Sequence, residues 1–307
     1  MGEVIVCRKP YVVEGLRSAF PDACTVDAFD APGADVARTV IAEPSELVAD
    51  NLDQLPRLRL ALCSRAGYDA ADLAYLKERG VMLCNARGLY SIPIAEDIVC
   101  KILMGTTNAW RYAAQKIEHV YRVAPERRCL SSMTVGFAGV GSIACEAAMR
   151  LRPFGCRVVG WRRSIRPTPD GFDAVHVGEG GWRALLNEAD VLVLAVDLNP
   201  GTAGLLDADA IALMRDGAMV VNIARGGVVD EAALIEALRA GKLAYAGLDV
   251  FETEPLPTDS PLWNLPNVAI SPHASGVCME NHARFEAMAI DNLRSFFCGS
   301  KLVNRVL

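Results

Sequence analysis

The sequence predicts an α/β protein of two domains, each built on a parallel β-sheet. Its length of 307 residues suits two domains of roughly 100 to 200 residues, and 52% of the residues are hydrophobic. Short apolar runs alternate with stretches of helical periodicity along nearly the whole chain, which is the pattern of βαβ units. A glycine-rich turn between a strand and a helix opens a second series of such units. These three observations indicate two consecutive α/β regions.

The first series of strands and helices occupies residues 1–94. Its expected strands are EVIVC, RLRLALCS and VMLCN, and its expected helices are VVEGLRSAF and AADLAYLKERG. One long helix, IPIAEDIVCKILMGTTNAWRYAAQKIEHV, is expected from Ile92, because apolar residues recur at helical spacing without a cluster of prolines and glycines. The polar, basic stretch that follows, up to Ser132, is expected to form an arm or loop.

The second series begins at Met133. The strands MTVGFAG, CRVVGW, VLVLAV, AMVVNI, LAYAGLDVF and NVAISP alternate with helices such as WRALLNEAD and EAALIEALRAGK, which predicts a doubly wound parallel sheet. The last helix, VCMENHARFEAMAIDNLRSFF, is expected to return to the first domain. The predicted domains are therefore residues 1–94 with 277–307, and residues 95–276 inserted between them.

Composition and charge narrow the classes of function. No apolar run approaches the roughly 20 residues that a membrane span requires. The N-terminus has neither the basic start nor the long apolar stretch of a secretory signal, so a cytoplasmic protein is expected. A net charge of -6 and a pI near 5.4 provide no basic face for phosphates, which disfavours nucleic acid as a partner.

Ten cysteines are scattered along the chain without a CxxC pair. Most are expected to be small buried thiols, since none has the spacing of a zinc site or the setting of a catalytic nucleophile. No metal site is expected. The cysteines are Cys7, Cys24, Cys63, Cys84, Cys100, Cys129, Cys145, Cys156, Cys278 and Cys298.

The glycine-rich turn GVGSIA lies between a strand and a helix. Gly139 is suited to the tight turn, and Gly141 lets the backbone approach a pyrophosphate. Ser142 and Ile143 open the helix, whose N-terminus favours negative charge. Ala144 occupies the third position of the pattern, where the dinucleotide fingerprint accepts alanine. The alternative interpretation is an ordinary glycine-rich turn.

Two arginines end the next strand, about twenty residues past the glycines, where a site for NAD usually has an acidic residue on the ribose. Arg162 occupies the position of that acid, and Arg163 follows it. A guanidinium there can form charge-assisted bonds to a 2′-phosphate, which favours NADP and leaves NAD as the alternative. A solvated basic turn is the other interpretation.

Three charged residues follow later strands of the second series. Arg225 follows AMVVNI, Glu254 follows LAYAGLDVF and His273 follows NVAISP, and open α/β sheets form their sites at such strand ends. A guanidinium can bind a carboxylate substrate, and an imidazole beside a carboxylate can move a proton. Each also has an ordinary interpretation, namely an ion pair of Arg225 with Asp230 and solvated loop positions for the other two.

Together, GVGSIA, NIARGGVVDEAAL, AGLDVFETEPLP and SPHASG resemble motifs of the D-isomer-specific 2-hydroxyacid dehydrogenases. The resemblance covers nearly the whole chain, and residues 1–130 match more loosely, through RAGYDAADL and NARGLYSIPIAED. It implies two Rossmann-like domains, one flavodoxin-like and one dinucleotide-binding, with a cleft between them, and it implies a homodimer. The inserted domain would bind the dinucleotide and the other domain the substrate.

The resemblance also implies roles for single residues. In this family, the arginine of the ARG motif binds the carboxylate and carbonyl oxygens of the substrate, and the histidine of the PH motif is the general acid/base. These residues are Arg225 and His273 here. The glutamate before proline in the FExEP motif supports the histidine, which selects Glu254 over Glu252, and its charge favours the imidazolium. Asp249 in GLDVF matches a family position near the histidine and the cofactor.

The implied reaction moves a hydride between NAD(P)H and a 2-oxo acid or D-2-hydroxy acid, while His273 supplies or accepts the proton. Gly67 in RAGYD matches the loop whose backbone N–H groups face the substrate carboxylate, and Arg65 adds charge there. Glyoxylate, hydroxypyruvate and bulkier 2-oxo acids are candidate substrates. The alternatives are a cofactor-sensing protein of the same fold, similar to the family's corepressors, and a phosphoglycerate dehydrogenase without a regulatory domain.

One segment departs from the family pattern. Asp197, in VDLNP, stands where the family commonly has a segment like Leu-Pro-Leu-Thr beside the nicotinamide. It either changes cofactor or substrate preference or caps the turn before the next helix. The remaining histidines, His119, His176 and His282, lack motif context and are expected at the surface or in packing, although His282 is also a candidate for the cleft.

Overall fold

A computed structural model describes residues 3–124 and 128–307. The chain divides into two compact units, Met1–Tyr90 with Val277–Leu307, and Ser91–Gly276. The first boundary thus falls where a helix begins at Ser91, four residues before the position expected from the sequence. Residues 125–127, which belong to the expected arm, lie outside the described residues.

The first unit contains a parallel sheet of five strands in the order β2-β1-β3-β4-β5. Strands β3 and β4 are fully buried, as expected for a sheet that is covered on both faces. Strands β2 and β3 were not predicted from the sequence, because each is a short run without a periodicity that distinguishes it from a loop. The strands are β1 (Val4–Cys7), β2 (Cys24–Val26), β3 (Thr39–Ala42), β4 (Leu60–Cys63) and β5 (Met82–Cys84). The helices between them are α1 (Pro10–Ala19), α2 (Ala49–Leu52) and α3 (Leu73–Glu78).

The second unit contains a parallel sheet of seven strands in the order β12-β11-β10-β9-β6-β7-β8. All six strands expected from the sequence are present, and β8, a half-buried edge strand, is additional. The strands are β6 (Thr134–Ala138), β7 (Arg157–Arg162), β8 (Ala174–Val177), β9 (Val191–Leu194), β10 (Ala218–Asn222), β11 (Leu243–Leu248) and β12 (Val268–Ile270). The helices are α4 (Ser91–Thr106), α5 (Ala109–Ile117), α6 (Ser142–Leu151), α7 (Gly178–Glu188), α8 (Ala208–Leu213) and α9 (Glu231–Arg239).

The strand order of the second sheet reverses between β6 and β9. Strands β6, β7 and β8 run outward in one direction, and β9 returns to pair with the other side of β6. Open α/β sheets bind ligands outside the carboxyl ends of their strands at such a reversal. The glycine turn GVGSIA follows β6 at this position.

The prediction of a single long helix from Ile92 is wrong, because two helices occupy this segment. Helix α4 ends at Thr106 and α5 begins at Ala109, and between them Asn108 has a left-handed backbone with φ of +57°. The hydroxyl of Thr107 donates to the carbonyl of Leu103, which closes the last turn of α4. Asparagine tolerates the left-handed region better than most residues, but a lone asparagine is a weak signal in a sequence.

The last helix, α10 (Asn281–Phe297), belongs to the first unit and packs against α1. It begins four residues later than the apolar pattern indicated. The two helices approach closely at Gly15, where an added Cβ would lie 2.4 Å from Cδ of Glu286. Within the described residues, no helix is long and apolar enough to cross a membrane.

The expectation that most cysteines are buried is wrong. All ten are free thiols, of which four are buried, two are half-buried and four are exposed. The exposed ones lie on an edge strand, on an outer helix face, in a loop and at a helix end. Burial raises the pKa of the thiols of Cys63 and Cys84 to about 11, so neither is an activated nucleophile. The exposed thiols are those of Cys24, Cys100, Cys129 and Cys298.

Candidate active site

The turn between β6 and α6 has the backbone geometry that a dinucleotide site requires. Gly139 has a φ of +99°, and an added Cβ would lie 2.3 Å from the carbonyl oxygen of Ala195, so the position admits only glycine. At Gly141, an added Cβ would have no atom within 4 Å. Among the described residues, no side chain caps α6 at Gly141. The N-terminus of α6 therefore presents backbone N–H groups beside open space, which fits a pyrophosphate.

The next residues of the motif differ in burial. Ser142 is exposed, and its Oγ lies 3.0 Å from Oγ of Ser91 at the start of α4. Ile143 is half-buried against the core, and Ala144 is fully buried. The third motif position thus serves helix packing, while Ser142 lies at the surface.

Arg162 is the last residue of β7, and its guanidinium turns into its own loop. Nη2 donates to the carbonyl oxygens of Arg166 and Pro167. Nε is buried and has no hydrogen-bond partner among the described residues. Burial raises the pKa of the Cys145 thiol on α6, the charge of Glu146 acts in the same direction, and the charge of Arg162 opposes the rise.

Arg163 is exposed and extends toward the turn after β9. Its Nη1 lies 3.5 Å from Oδ1 of Asn199. An added Cβ at Gly201 would lie 2.8 Å from the same nitrogen. The two arginines therefore occupy different positions at one edge of the sheet, and Arg163 is the more accessible to a ligand.

Arg225 follows β10 and is held by backbone contacts on both sides. Asn222 braces the turn, since its Oδ1 accepts from the N–H of Ala224 at 3.0 Å and its Nδ2 donates to the carbonyl of Arg225 at 3.2 Å. An added Cβ at Gly226 would lie 1.9 Å from the carbonyl carbon of Phe251. The segment carrying Arg225 therefore packs directly on the backbone of the loop that follows β11.

Two acidic side chains in the segments around Arg225 accept hydrogen bonds from backbone N–H groups at the start of α9. Asp230 is the N-cap of α9, and its Oδ1 accepts from the N–H of Ala233 at 3.0 Å. Oε1 of Glu252 accepts from the N–H of Glu231 at 3.0 Å. Burial raises the pKa of Glu231, and the charge of Glu252 acts in the same direction.

Glu254 and His273 lie together in the loops after β11 and β12. Oε2 of Glu254 lies 2.7 Å from Nδ1 of His273, and Oε1 accepts from the N–H of Phe251 at 3.1 Å. His273 has a left-handed backbone with φ of +51°, and its side chain is half-exposed. A positive φ is unusual for histidine and indicates that the surrounding structure fixes this residue.

Asp249 holds the loop on which His273 stands. It is 1% exposed, and its carboxylate accepts from Oγ of Ser271 at 2.6 Å and from the N–H groups of Ala274 and Ser275. Its carbonyl oxygen accepts from the N–H of His273 at 2.8 Å. Burial raises the pKa of Asp249, but these hydrogen bonds prevail and lower it below its usual range. A charged Asp249 therefore fixes the histidine loop.

In the first unit, Gly67 and Arg65 lie in the loop after β4. Nε of Arg65 donates to Oε2 of Glu43 at 2.9 Å, and Lys9 pairs with the other oxygen of the same carboxylate. Burial raises the pKa of Glu43, but the two cations prevail and lower it. Neither Glu43 nor Lys9 was predicted from the sequence as a partner of this loop. The signal for Glu43 was its position after β3, a strand that was itself not predicted.

In the segment after β9, the side chain of Asp197 caps neither the turn nor the next helix, because other residues make these contacts. Asn199 and Thr202 hold this turn, since Oδ1 of Asn199 accepts from the N–H of Gly201 at 3.0 Å and Thr202 Oγ1 donates to the carbonyl of Asp197. The next helix, α8, is capped by Asp207. Asp197 is exposed three residues after β9, the strand that pairs with β6.

The three other histidines have ordinary environments. His282 stacks on Tyr11 in the first unit, with ring centroids 3.9 Å apart and ring planes 11° from parallel. His176 pairs with Glu188, and His119 is exposed. The described residues contain no cluster of three metal-ligating side chains.

Known proteins resemble this chain along its whole length. Glyoxylate/hydroxypyruvate reductase B of Pectobacterium atrosepticum is 33% identical over 99% of this chain and 97% of that protein. D-3-phosphoglycerate dehydrogenase of Mycobacterium tuberculosis is 31% identical over 92% of this chain and 54% of that protein. A D-isomer specific 2-hydroxyacid dehydrogenase from Xanthobacter autotrophicus Py2, solved in complex with NADPH and MES, has a TM-score of 0.85. It is 27% identical and covers 100% of this chain and 98% of that chain.

Residues 101–275 match the family described as D-isomer specific 2-hydroxyacid dehydrogenase, NAD binding domain. The match spans most of the second unit, including the glycine turn, the two arginines and the Glu254–His273 pair. Together with the full-length similarity, it shows that this chain belongs to the D-isomer specific 2-hydroxyacid dehydrogenase family.

Proposed function

We propose that this enzyme is an NADPH-linked 2-oxo acid reductase that forms D-2-hydroxy acids, with His273 as its general acid/base. The 2.7 Å contact between Nδ1 of His273 and Oε2 of Glu254 carries the proposal. It joins a proton-transferring group to a carboxylate at the carboxyl edge of the dinucleotide-binding sheet. Glu254 supports the histidine and Arg225 binds the substrate.

The contact between Glu254 and His273 determines which ring nitrogen moves the proton. A carboxylate accepts a hydrogen bond, so Nδ1 carries the hydrogen and Nε2 is the nitrogen that exchanges a proton with the substrate oxygen. During reduction, the imidazolium donates from Nε2 to the carbonyl oxygen of the 2-oxo acid. During oxidation, neutral Nε2 accepts the proton of the hydroxyl group. The hydrogen bond from Nδ1 to Glu254 holds the ring in one orientation through both steps.

Arg225 supplies the anion-binding group. Its guanidinium matches a carboxylate with two parallel hydrogen bonds, which orients the adjacent carbonyl group. The contact between Gly226 and Phe251 limits movement of the segment, so the orientation is set before the substrate binds. In the first unit, Gly67 is proposed to offer a backbone N–H to the substrate carboxylate, with Arg65 adding positive charge.

The cofactor proposal rests on the glycine turn and the two arginines. Gly139, Gly141, Ser142 and Ile143 would hold the pyrophosphate at the start of α6, and Asp249 keeps its adjacent loop in place. When bound, NADPH supplies the hydride for the carbonyl carbon. Arg163 would face its 2′-phosphate, and Arg162 would join it by exchanging its contacts with the carbonyls of Arg166 and Pro167 for the phosphate. The NADPH-bound relative of similar structure supports this choice over NAD.

Glyoxylate and hydroxypyruvate are the proposed substrates, because a full-length relative carries the name glyoxylate/hydroxypyruvate reductase. A relative named D-3-phosphoglycerate dehydrogenase favours one second candidate, oxidation of phosphoglycerate. The remaining alternative is a cofactor-sensing binding protein of the same fold, which would not catalyse a reaction. A homodimer located in the cytoplasm is also proposed, and sedimentation of the purified protein measures the oligomeric state.

The test measures loss of reduced-cofactor absorbance with a panel of 2-oxo acids, each with NADPH and with NADH. The panel contains glyoxylate, hydroxypyruvate, 3-phosphohydroxypyruvate and longer 2-oxo acids. We expect turnover of the first two with NADPH, and we expect His273→Ala to bind cofactor without turnover. Fastest reduction of 3-phosphohydroxypyruvate would favour the second candidate. Tight cofactor binding without any turnover would favour the binding protein.

A further inference from the structure

Lys101 is a buried lysine in the middle of α4, only 4% exposed. Its aliphatic stem lies over Gly247 of β11, where an added Cβ would be 2.9 Å from Cβ of Lys101 and 3.1 Å from its Cδ. The glycine in the strand thus makes room for the stem, which lets the side chain run along the sheet toward its carboxyl edge. A buried ammonium is costly unless it is paired.

The ammonium of Lys101 has two partners. One is Asp97, a turn earlier on α4, which forms an ion pair of the kind common on helices. The other is Oγ of Ser271, 2.9 Å away and 170 residues further along the chain. Ser271 follows β12 and lies two residues before His273. The ion pair between Lys101 and Asp97 lies within α4 and can form without the contact to Ser271.

The hydroxyl of Ser271 transmits this contact in one direction. An ammonium only donates and a carboxylate only accepts, so Oγ accepts from Lys101 and donates to Oδ1 of Asp249 at 2.6 Å. Asp249 then accepts from the N–H of Ala274 with its carboxylate and from the N–H of His273 with its carbonyl oxygen. The hydrogen-bond chain from Lys101 therefore ends on the backbone of His273 and of the residue after it.

We propose that Lys101 is a positioning residue for His273, acting through Ser271 and Asp249. It holds the loop that keeps His273 at a φ of +51° and it touches neither substrate nor cofactor. A histidine in this backbone region persists only where its surroundings fix it, and the Lys101 chain provides that constraint. The effect on catalysis rests on the proposed role of His273, whereas the effect on loop geometry does not.

The variant Lys101→Met tests the proposal, because methionine keeps an apolar stem over Gly247 and removes the ammonium. Ser271→Ala breaks the same chain while leaving the pair of Lys101 with Asp97. We expect each variant to lower kcat about tenfold, which corresponds to about 1.4 kcal/mol. The double variant should lose little more than either single one, since both changes break one chain. The Kd for NADPH should stay within twofold.

Asp97→Asn is the matched control, since it weakens the helix pair and leaves the contact of Lys101 with Ser271. It should lower the urea midpoint of unfolding while keeping kcat within twofold of the unsubstituted enzyme. A kcat loss in Asp97→Asn equal to that in Lys101→Met would assign the effect to helix stability and overturn the proposal. Multiplicative losses in the double variant of Lys101 and Ser271 would overturn it as well.

A second readout needs no turnover. The chain has four histidines, so long-range ¹H–¹⁵N spectra resolve their rings, and the loss of one set of signals in His273→Ala assigns that ring. In Lys101→Met and Ser271→Ala, we expect the ring signals of His273 to shift or broaden while the other three stay in place. Unchanged His273 signals would overturn the positioning role whether or not the enzyme turns over. If Lys101→Met does not fold, Ser271→Ala carries the same measurement.

Discussion

The carboxylate of Glu254 is fixed through both of its oxygens, one 2.7 Å from Nδ1 of His273 and the other 3.1 Å from the backbone nitrogen of Phe251. Phe251 is also the residue on which Gly226 packs, directly after Arg225. One short loop therefore contacts the segments that carry both the proposed acid/base and the proposed anion-binding group. This arrangement makes the roles of the neighbouring residues separable by substitution.

Glu254→Gln is expected to lower kcat at least tenfold, or about 1.4 kcal/mol. The amide retains the size of the side chain but replaces the charged acceptor of the Nδ1–H hydrogen bond with a neutral one. Binding of NADPH should change by less than twofold, because the glycine turn is untouched. Steady-state kinetics with the best 2-oxo acid and a fluorescence titration of the cofactor measure the two quantities.

The matched control is Glu252→Gln, two residues earlier in the same loop. Glu252 accepts from the N–H of Glu231 and makes its contact away from the histidine, so kcat should stay within threefold of the unsubstituted enzyme. Equal losses in the two variants would show that the loop, rather than the charge beside His273, determines the rate.

The parts of this site that the sequence predicted depend on short motifs tied to strand ends. The glycine turn and Arg225 each stand next to a recognisable apolar strand, whereas the choice of Glu254 over Glu252 comes from the resemblance to the family's FExEP motif. Parallel strands then bring those ends to one edge of the sheet. In the folded chain, Oε2 of Glu254 lies 2.7 Å from Nδ1 of His273, whereas Glu252 accepts from the backbone of Glu231.

The parts that the sequence did not predict depend on tertiary contacts. Lys101 looked like an ordinary helical residue, because its partner Ser271 is 170 residues away. The break at Asn108 rests on a single left-handed residue, and Glu43 follows a strand too short to show a period. Pairing over such distances is decided by packing of the folded chain and leaves no local pattern.

Gly226→Ala is expected to destabilise the fold and displace Arg225. The new methyl group would lie 1.9 Å from the carbonyl carbon of Phe251, so one of the two backbones must move. Overpacking of this kind costs about 1 to 3 kcal/mol. Urea unfolding should show the loss, and KM for the 2-oxo acid should rise because the guanidinium is no longer held in place.

Gly227→Ala supplies the comparison. An alanine Cβ there would meet only the side chain of Leu198 at 3.4 Å, which is an ordinary contact. Stability and KM should therefore remain close to those of the unsubstituted protein. If the two alanine variants behaved alike, the contact between Gly226 and Phe251 would not be what positions Arg225.

Arg162→Asp is expected to move cofactor preference from NADP toward NAD, since a carboxylate there repels the 2′-phosphate and accepts from a ribose hydroxyl. Arg163→Ala should weaken NADPH binding about tenfold and leave NADH binding unchanged, because a charge-assisted bond is lost only with the phosphate. Ratios of kcat/KM for the two cofactors, measured on each variant, give the preference. If kcat/KM changed by the same factor with both cofactors, the arginines would not be what recognises the 2′-phosphate.

Asp190→Asn is expected to reduce stability at neutral pH and to flatten its dependence on acid pH. Asp190 is 3% exposed and accepts from Arg128 at 2.6 Å, from the N–H of Thr134 at 2.8 Å and from Arg215 at 3.1 Å. Burial raises the pKa of Asp190, but these bonds prevail and lower it. Losing charged hydrogen bonds in this setting should cost about 2 kcal/mol at pH 7.

The sign of the pH effect follows from that lowered pKa. The unfolded chain takes up a proton at a higher pH than folded Asp190 does, so the stabilisation is complete above about pH 5 and is lost as the pH falls through the folded pKa. Urea unfolding between pH 7 and pH 3 should therefore show a larger loss of stability in the unsubstituted protein than in Asp190→Asn. Asp22→Asn, in an exposed turn, should follow the unsubstituted protein. Identical acid profiles for Asp190→Asn and the unsubstituted protein would mean that this carboxylate titrates alike in both states.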